Sequence, residues 1–294
     1  MGTALYSTTY ASTRSILNNY SSRSTADIFE QSRKRQIHKL MNPKDVKIRE
    51  CRDSELHPNS LPIIIAIDVT GSMKEMPKYY IAEALIKLVT KIMEAGFTDP
   101  AIMVIAVGDG RSDVAPLQIS QFESGDAELD MWLSRIWPEG NGGGNGGESY
   151  NLVWYFAANH TVSDSYEKRG KKGLLITMGD EPVHSELTRR ELKEIFNYDG
   201  ESNLTNEYLL EEVRKTYDVY HMHINDGSHG TAPLEGWRRL LGENCIEIQN
   251  YTKVPDKIAD LVIYKAKDVI AKDVIADGTV PSTTHPGESG PKYR

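Results

Sequence analysis

The clearest pattern along the chain is an alternation of continuous apolar runs with helical stripes. The runs PIIIAIDV (62–69) and AIMVIAVGD (101–109) contain almost no polar residue before their ends, which is typical of strands buried on both faces. Between them, the segment 79–96 spaces its apolar residues three and four positions apart and stops at Gly96, as an amphipathic helix does. A strand, a helix and a second strand of this kind predict one unit of a parallel sheet.

The same alternation continues to about residue 265. Further strands are predicted at 172–181, 218–224 and 245–251, with 116–123 as an edge strand. Helices are predicted at 126–137, 149–160, 186–196, 205–216 and 234–241, and a last one of roughly 20 residues starts near Pro255. The sequence therefore predicts an α/β fold, a Rossmann-like doubly wound and mostly parallel six-stranded sheet with helices on both faces.

The regions on either side of this pattern have a different texture. Residues 1–60 are predicted to be an N-terminal arm and connector, partly disordered, because the first 25 residues include 11 Ser or Thr. A short basic helix is predicted within this region, at 25–41. The domain is predicted to span 61–265, and 266–294 to contain the end of the last helix and a disordered tail rich in Pro, Gly and Ser.

Charge and cysteine content limit the possible partners and compartments. The net charge of −8 argues against nonspecific binding to nucleic acid, although residues 1–60 carry +4 and the remainder −12. Two cysteines are too few for a disulfide framework. The polar N-terminus does not resemble a signal peptide, and no apolar run approaches a membrane span. We therefore expect a cytoplasmic protein without membrane contact.

Oxygen-bearing side chains follow two of the predicted buried strands. Asp68, Thr70 and Ser72 alternate after the first strand, so in an extended segment they share one side. Asp180 lies at the end of the strand predicted at 172–181, at the same edge of a parallel sheet. Carboxylates and hydroxyls are hard donors, which suit Mg²⁺, Mn²⁺ or Ca²⁺. The sequence therefore predicts a divalent-cation site at this edge.

A glycine-rich run lies between Glu139 and Glu148 and contains six glycines. It satisfies the dinucleotide fingerprint G-x-G-x-x-G at 142–147, but no buried strand precedes it, as that motif requires. It also resembles a P-loop, except that Glu148 stands where Lys is needed. We interpret the run as a third wall of the cation site, to which Glu148 and Ser149 add oxygen donors. A simple flexible loop tip is the alternative.

The motif D-V-T-G-S after an apolar strand, the later glycine-rich loop and the Asp after a central strand resemble the von Willebrand factor A (VWA) domain over residues 60–265. The resemblance is to prokaryotic or phage members, and it implies a metal-ion-dependent adhesion site (MIDAS). Asp68, Thr70, Ser72 and Asp180 would then be metal ligands. Glu148 would replace the loop Thr of many members, which is missing between Trp137 and His160.

The resemblance also implies a function. The protein would be an interaction module rather than an enzyme, in which Mg²⁺, or else Mn²⁺ or Ca²⁺, accepts a carboxylate from a partner protein. An AAA+ ATPase is a candidate partner by family alone, and the oligomeric state is open. The residues expected to contact the partner surround the site, and they are Met73, Lys74, Asn141, Asn145, Met178 and His184.

Several alternatives remain open at this stage. A Mg²⁺-dependent phosphatase-like hydrolase would use Asp68, although Thr70 stands where its general acid is needed. A scaffold assembled through its terminal arms is the other possibility. His221 and His223 alternate on a strand and could bind zinc, but with no Cys expected nearby an ordinary pair is favoured. Likewise, Asp109 and Asp113 could form a second cation site, but a solvated turn is favoured.

Overall fold

The computed structural model describes residues 4–73, 75–140, 146–225 and 231–276, with side chains as far as residue 266. Its strands, numbered in chain order, are β1 (Arg49–Cys51), β2 (Leu61–Asp68), β3 (Pro100–Val107), β4 (Leu117–Ile119), β5 (Thr161–Ser163), β6 (Gly173–Gly179), β7 (Glu186–Leu187), β8 (Leu204–Thr205), β9 (Tyr217–Ile224) and β10 (Cys245–Ile248).

Six of these strands form the central sheet, in the order β10-β9-β6-β2-β3-β4. Strand β2 pairs in parallel with β3 on one side and with β6 on the other, whereas β4 is antiparallel to β3 at the edge. Strands β1 and β5 form a small parallel pair, and β7 and β8 a small antiparallel pair. The predicted six-stranded, mostly parallel sheet and its edge strand are confirmed.

The helices connect the strands in the predicted alternation. They are α1 (Thr8–Leu17), α2 (Thr25–Ile28), α3 (Glu30–Lys34), α4 (Met76–Tyr79), α5 (Leu85–Glu94), α6 (Asp126–Ser134), α7 (Asn151–His160), α8 (Asp164–Glu167), α9 (Arg189–Phe196), α10 (Asn206–Val213), α11 (Ala232–Leu241) and α12 (Val254–Ala276). A single π-helical turn, Tyr80–Ala84, joins α4 to α5. No helix in the described ranges is long and apolar enough to cross a membrane.

Helices cover both faces of the sheet, and each face has its own apolar core. Along β2, Ile63, Ile65 and Ile67 face α5, α6 and α12, whereas Ile64 and Ala66 face α7, α10 and α11. A strand that contributes side chains to two cores favours apolar residues along its whole length, which explains the continuous apolar run. The first polar side chain, Asp68, comes where β2 leaves the two cores.

The described part of the N-terminal arm packs on the domain. Helix α1 packs against α5 and α6, and Arg14 pairs with Asp126 at 2.7 Å. Tyr20 donates a hydrogen bond to Asp130 at 3.0 Å, and Phe29 is completely buried. The many Ser and Thr residues make the arm look polar in the sequence. Its buried surface comes instead from a few widely spaced aromatic residues, such as Tyr20 and Phe29.

Two further expectations concern the ends of the chain. The basic helix expected at 25–41 is two short helices, α2 and α3, because Phe29 between them is extended (φ −97°, ψ 97°) and turns its ring into the core. Helix α12 runs to Ala276, and the tail at 277–294 lies outside the described residues. The predicted domain boundaries near residues 60 and 265 stay a prediction.

The packed arm predicts a large effect for one substitution. Phe29→Ala removes a buried ring, so it is expected to lower the free energy of unfolding by about 3–5 kcal/mol. Guanidinium denaturation followed by circular dichroism measures this difference. Leu17→Ala, at a position that is 78% exposed, is the control and should leave the midpoint unchanged. Equal midpoints for the two variants would contradict a docked arm.

Candidate metal centre

The carboxyl ends of β2 and β6 lie side by side at one edge of the sheet. The two strands pair in parallel with Ile67 opposite Met178. Asp68 at the end of β2 and Asp180 just after the end of β6 therefore lie at nearly the same height along the sheet. Asp68 is completely buried and Asp180 is 3% exposed. Two acidic side chains therefore meet at a water-poor edge, as the sequence predicts for parallel neighbouring strands.

Each of the two carboxylates accepts a hydrogen bond from a different hydroxyl group, and the two hydroxyl oxygens lie near each other. The Asp68 Oδ1 atom accepts from the Thr70 backbone amide at 2.8 Å and from the Thr70 hydroxyl at 2.6 Å. The Thr70 hydroxyl lies 3.4 Å from Ser72 Oγ, which donates to Asp180 Oδ1 at 2.9 Å. Thr70 is buried but Ser72 is exposed, so this cluster opens to solvent on the Ser72 side.

Tyr150 holds the second oxygen of Asp68, a contact that no pattern in the sequence indicates. Its phenol, directly before α7, donates a hydrogen bond to Asp68 Oδ2. The contact requires glycine at position 179, because a Cβ there would overlap the Tyr150 oxygen and lie 2.7 Å from Asp68 Oδ2. Burial raises the pKa of Tyr150 well above its usual value of 10.0, so the phenol keeps its proton and remains a donor.

Glu148 is fixed at the same edge by backbone hydrogen bonds to the segment that follows Asp180. Its amide donates to the Pro182 carbonyl at 2.8 Å, and its carbonyl accepts from the His184 amide at 3.0 Å. Gly147 permits this approach, since a Cβ there would lie 2.9 Å from the Pro182 carbonyl. The end of the glycine-rich run is therefore an ordered wall of the site. Residues 141–145, with most of the run, lie outside the described residues.

The electrostatic environment opposes ionisation of Glu148. The residue is 5% exposed, and its Oε2 atom has no hydrogen-bond partner among the described residues. Burial, together with the charges of Asp68, Asp109 and other acidic neighbours, raises its pKa to about 10. Burial likewise raises the pKa of Asp68 to about 7. A nearby cation would reverse this preference for the protonated form.

Ser149 and Asp109 have different roles from those considered in the sequence. Ser149 Oγ accepts a hydrogen bond from the Gly110 amide at 2.8 Å, so it braces the neighbouring loop. Asp109 is completely buried and lies 2.8 Å from His184 Nε2. The favoured solvated turn is therefore wrong at Asp109, because its carboxylate accepts hydrogen bonds within the fold.

The residues expected to contact a partner need correction. Met178 is completely buried because it points into the core beneath α5 and α12, so the prediction that it touches a partner is wrong. Met73 and His184 are also buried, at 6% and 5% exposure, and offer a partner little surface. Lys74, Asn141 and Asn145 lie outside the described residues.

The histidine pair has one neighbour that the sequence did not indicate. His221 and His223 share one face of β9 and are buried, as an ordinary pair would be. However, Cys245 lies opposite His221 on β10, whereas the sequence suggested that no cysteine would be near. Within the described ranges, no group of three or more His, Cys, Asp or Glu side chains is arranged to hold a metal ion.

The same finding limits how a cation could be held at the edge of the sheet. Three carboxylates do not converge there, so the donor set consists of Asp68, Asp180 and the hydroxyls of Thr70 and Ser72, with Glu148 beside them. These residues fit a hard divalent cation, because every donor is oxygen. The buried Glu148 oxygen without a hydrogen-bond partner is also a feature that a nearby cation would explain.

Comparisons with known proteins give only distant likenesses. No protein-family model and no curated protein matches the sequence. The pilus adhesin SpaC of Lactobacillus rhamnosus GG, in its open conformation, is 13% identical over 75% of this chain and 31% of its own, with a TM-score of 0.44. A von Willebrand factor type A structure from Catenulispora acidiphila is 15% identical over 77% of this chain and 51% of its own, with a TM-score of 0.40.

A third solved structure is proximal thread matrix protein 1 from the mussel byssus, with a zinc-occupied MIDAS motif. It is 13% identical over 74% of this chain and 49% of its own, with a TM-score of 0.44. The chain thus spans between about a third and a half of these proteins. Likeness at this level carries no inference about ligand or activity.

The raised pKa values predict how stability depends on pH in the absence of metal. The folded protein keeps Asp68 and Glu148 protonated at pH values at which the unfolded chain releases these protons. The contribution of the two groups to stability is therefore fully present below their unfolded pKa values, and it is lost as the pH rises through their folded pKa values. In EDTA, the free energy of unfolding should therefore fall from about pH 5 to about pH 9. Denaturant titrations at several pH values measure this slope.

Glu148→Gln keeps the side-chain size and removes the ionisation. It is expected to flatten the slope by up to about 1.4 kcal/mol per pH unit, the value for one proton. Glu94→Gln, on the exposed end of α5, is the matched control and should retain the wild-type slope. A Glu148→Gln slope equal to that of wild type would contradict the raised pKa.

Proposed function

We propose that this chain is a metal-dependent protein-interaction module of the VWA type, with a MIDAS formed by Asp68, Thr70, Ser72 and Asp180. The observation that carries the proposal is the meeting of four oxygen-bearing side chains, in which Thr70 donates to Asp68, Ser72 donates to Asp180, and the two hydroxyl oxygens lie 3.4 Å apart. These four residues come from two segments that are far apart in sequence, the end of β2 with the loop after it and the loop after β6. Their meeting at a solvent-accessible edge supports the motif that the sequence resembles.

The charge of the site supports a bound cation rather than an empty cluster. Asp68 and Glu148 both have raised pKa values because they are buried near other carboxylates, and this arrangement is costly without a counter-ion. Glu148 is the proposed fifth oxygen donor in place of the missing loop Thr, and its carboxylate would have to turn toward Asp68 and Asp180 when the cation binds. A divalent cation bound there would supply a concentrated positive charge, to which a partner's carboxylate could bind.

Mg²⁺ is the proposed ion, with Mn²⁺ and Ca²⁺ as the other oxygen-preferring candidates. The proposed partner is a protein that offers an Asp or Glu side chain, and an AAA+ ATPase is one candidate class by sequence resemblance. The exposed Ser72 side of the cluster is where a partner could approach. A cytoplasmic location remains part of the proposal.

The alternatives gain less support. A phosphatase-like hydrolase would need a free Asp68 oxygen as the nucleophile, but one oxygen accepts from Thr70 and the other from Tyr150. A scaffold would need free arms, but the described part of the N-terminal arm packs on the domain through contacts such as that of Arg14 with Asp126.

Metal titration tests the site directly. Wild type should bind Mg²⁺ and Mn²⁺ with saturable heats in isothermal titration calorimetry, whereas Asp68→Asn with Ser72→Ala should abolish these heats, because the double variant loses a charge and a hydroxyl donor. Asp256→Asn, which removes an exposed carboxylate on α12, is the control and should bind as wild type. A folded wild type that ignores both ions would remove the proposal.

Peptide selection tests the partner chemistry while the partner itself is unidentified. A phage-displayed random peptide library is selected on the full chain in Mg²⁺ and eluted with EDTA. The eluted peptides should be enriched in Asp or Glu, and a synthetic copy should lose binding when that residue becomes Asn or Gln. The same peptide should fail to bind Asp180→Asn protein. Enrichment without acidic residues would refute the carboxylate-binding function.

A further inference from the structure

An aromatic cluster lies directly behind the candidate metal centre. It consists of Tyr150, His221 and Trp237, on the face of the sheet that α7 and α11 cover. The His221 and Trp237 rings stack with their centroids 3.5 Å apart and an interplanar angle of 9°. Tyr150 meets both rings edge-on, at 5.4 Å from His221 and 5.3 Å from Trp237.

The two ends of this cluster reach the two halves of the site. At one end, the Tyr150 phenol donates to Asp68 Oδ2. At the other end, Trp237 Nε1 donates to the Glu181 carbonyl at 2.9 Å, and Glu181 directly follows Asp180. The Asp68 carboxylate and the backbone next to Asp180 are thus both tied to a single packed unit.

This unit has little freedom to shift. All three side chains are at most 1% exposed, and the His221 Nδ1 atom lies 2.9 Å from the Thr177 hydroxyl on β6. The cluster is therefore fixed to the middle of the sheet as well as to both loops. Rings that are packed this tightly hold their neighbours to a narrow range of positions.

We propose that Tyr150 and Trp237 are positioning residues that hold the Asp68 and Asp180 segments at a fixed separation, and that this rigidity favours the small Mg²⁺ ion over Ca²⁺. The inference rests on the proposed function, since it concerns the same site. Neither residue needs to touch the ion. Mg²⁺ demands short and regular oxygen contacts, whereas Ca²⁺ accepts longer and more variable ones. A loosened pair of carboxylates therefore penalises Mg²⁺ more than Ca²⁺.

The chain offers a matched control for each positioning residue. Tyr80 is as buried as Tyr150, but its hydroxyl has no hydrogen-bond partner in the described part of the chain. Trp154 is buried beside Trp237, with ring centroids 6.0 Å apart, and its Nε1 likewise lacks a partner there. A Tyr→Phe change removes a buried hydroxyl at either tyrosine, and a Trp→Phe change removes a buried indole nitrogen at either tryptophan. Only Tyr150 and Trp237 use that atom to bond to the site.

The experiment measures Mg²⁺ and Ca²⁺ dissociation constants of the full chain by calorimetry, with thermal unfolding in EDTA as the check of folding. Tyr150→Phe and Trp237→Phe should weaken Mg²⁺ binding by about 10- to 100-fold, as is common for residues that orient metal ligands. Ca²⁺ binding should weaken less, so the Mg²⁺ to Ca²⁺ preference should fall. Tyr80→Phe and Trp154→Phe should keep the wild-type preference, whatever they do to the melting temperature.

Three results would overturn the positioning role. If Tyr150→Phe and Trp237→Phe keep the wild-type preference while wild type binds Mg²⁺, the positioning role is refuted and the proposed function stands. If wild type binds neither ion, the proposed function fails and the inference with it. An equal loss in the variants and their controls would mean that the residues act only through stability, which also overturns it. Should Tyr150→Phe not fold, Trp237→Phe against Trp154→Phe decides alone.

Discussion

The removal of carboxylates from water at one edge of the sheet is the constraint on which the rest of the structure depends. Asp68 is carried there by a strand that is apolar throughout, and Asp180 by the strand beside it. Burial of two such groups is unfavourable unless hydrogen bonds or a counter-ion compensate. The surrounding elements supply donors from several directions: Thr70 and Ser72 from the loop after β2, and Tyr150 from the start of α7.

The loops around this edge support one another through hydrogen bonds that involve their backbones. Glu148 is bound to the segment after Asp180 by a short parallel bridge, and the loop at Gly110 is bound to Ser149. Because each loop depends on its neighbour, a change in one is transmitted to the others. This interdependence explains why a run of glycines ends in an ordered segment, since small residues let several backbones approach closely.

The sequence could predict the parts of the fold that follow from local periodicity. The apolar run of β2 and the helical stripe of α5 were sufficient for an α/β sheet, and parallel strand ends were sufficient to bring Asp68 near Asp180. Contacts that depend on tertiary packing could not be read in this way. Tyr150 looks like any aromatic residue at a helix start, and only the fold brings its hydroxyl to Asp68. Phe29 and Tyr20 likewise looked like isolated residues in a polar arm, but Phe29 is buried in the core and Tyr20 bonds to Asp130 of α6.

Because residue 179 is a glycine without a side chain, it limits how homologues of this chain can diverge. With only a hydrogen at Gly179, the phenol of Tyr150 fits against β6, whereas any larger residue would occupy the volume of that oxygen. The two positions are thus linked by sterics and should covary: a homologue with Ala or Ser in place of Gly179 should have lost the aromatic hydroxyl at position 150. Such a homologue would have to satisfy its buried Asp68 counterpart by another donor.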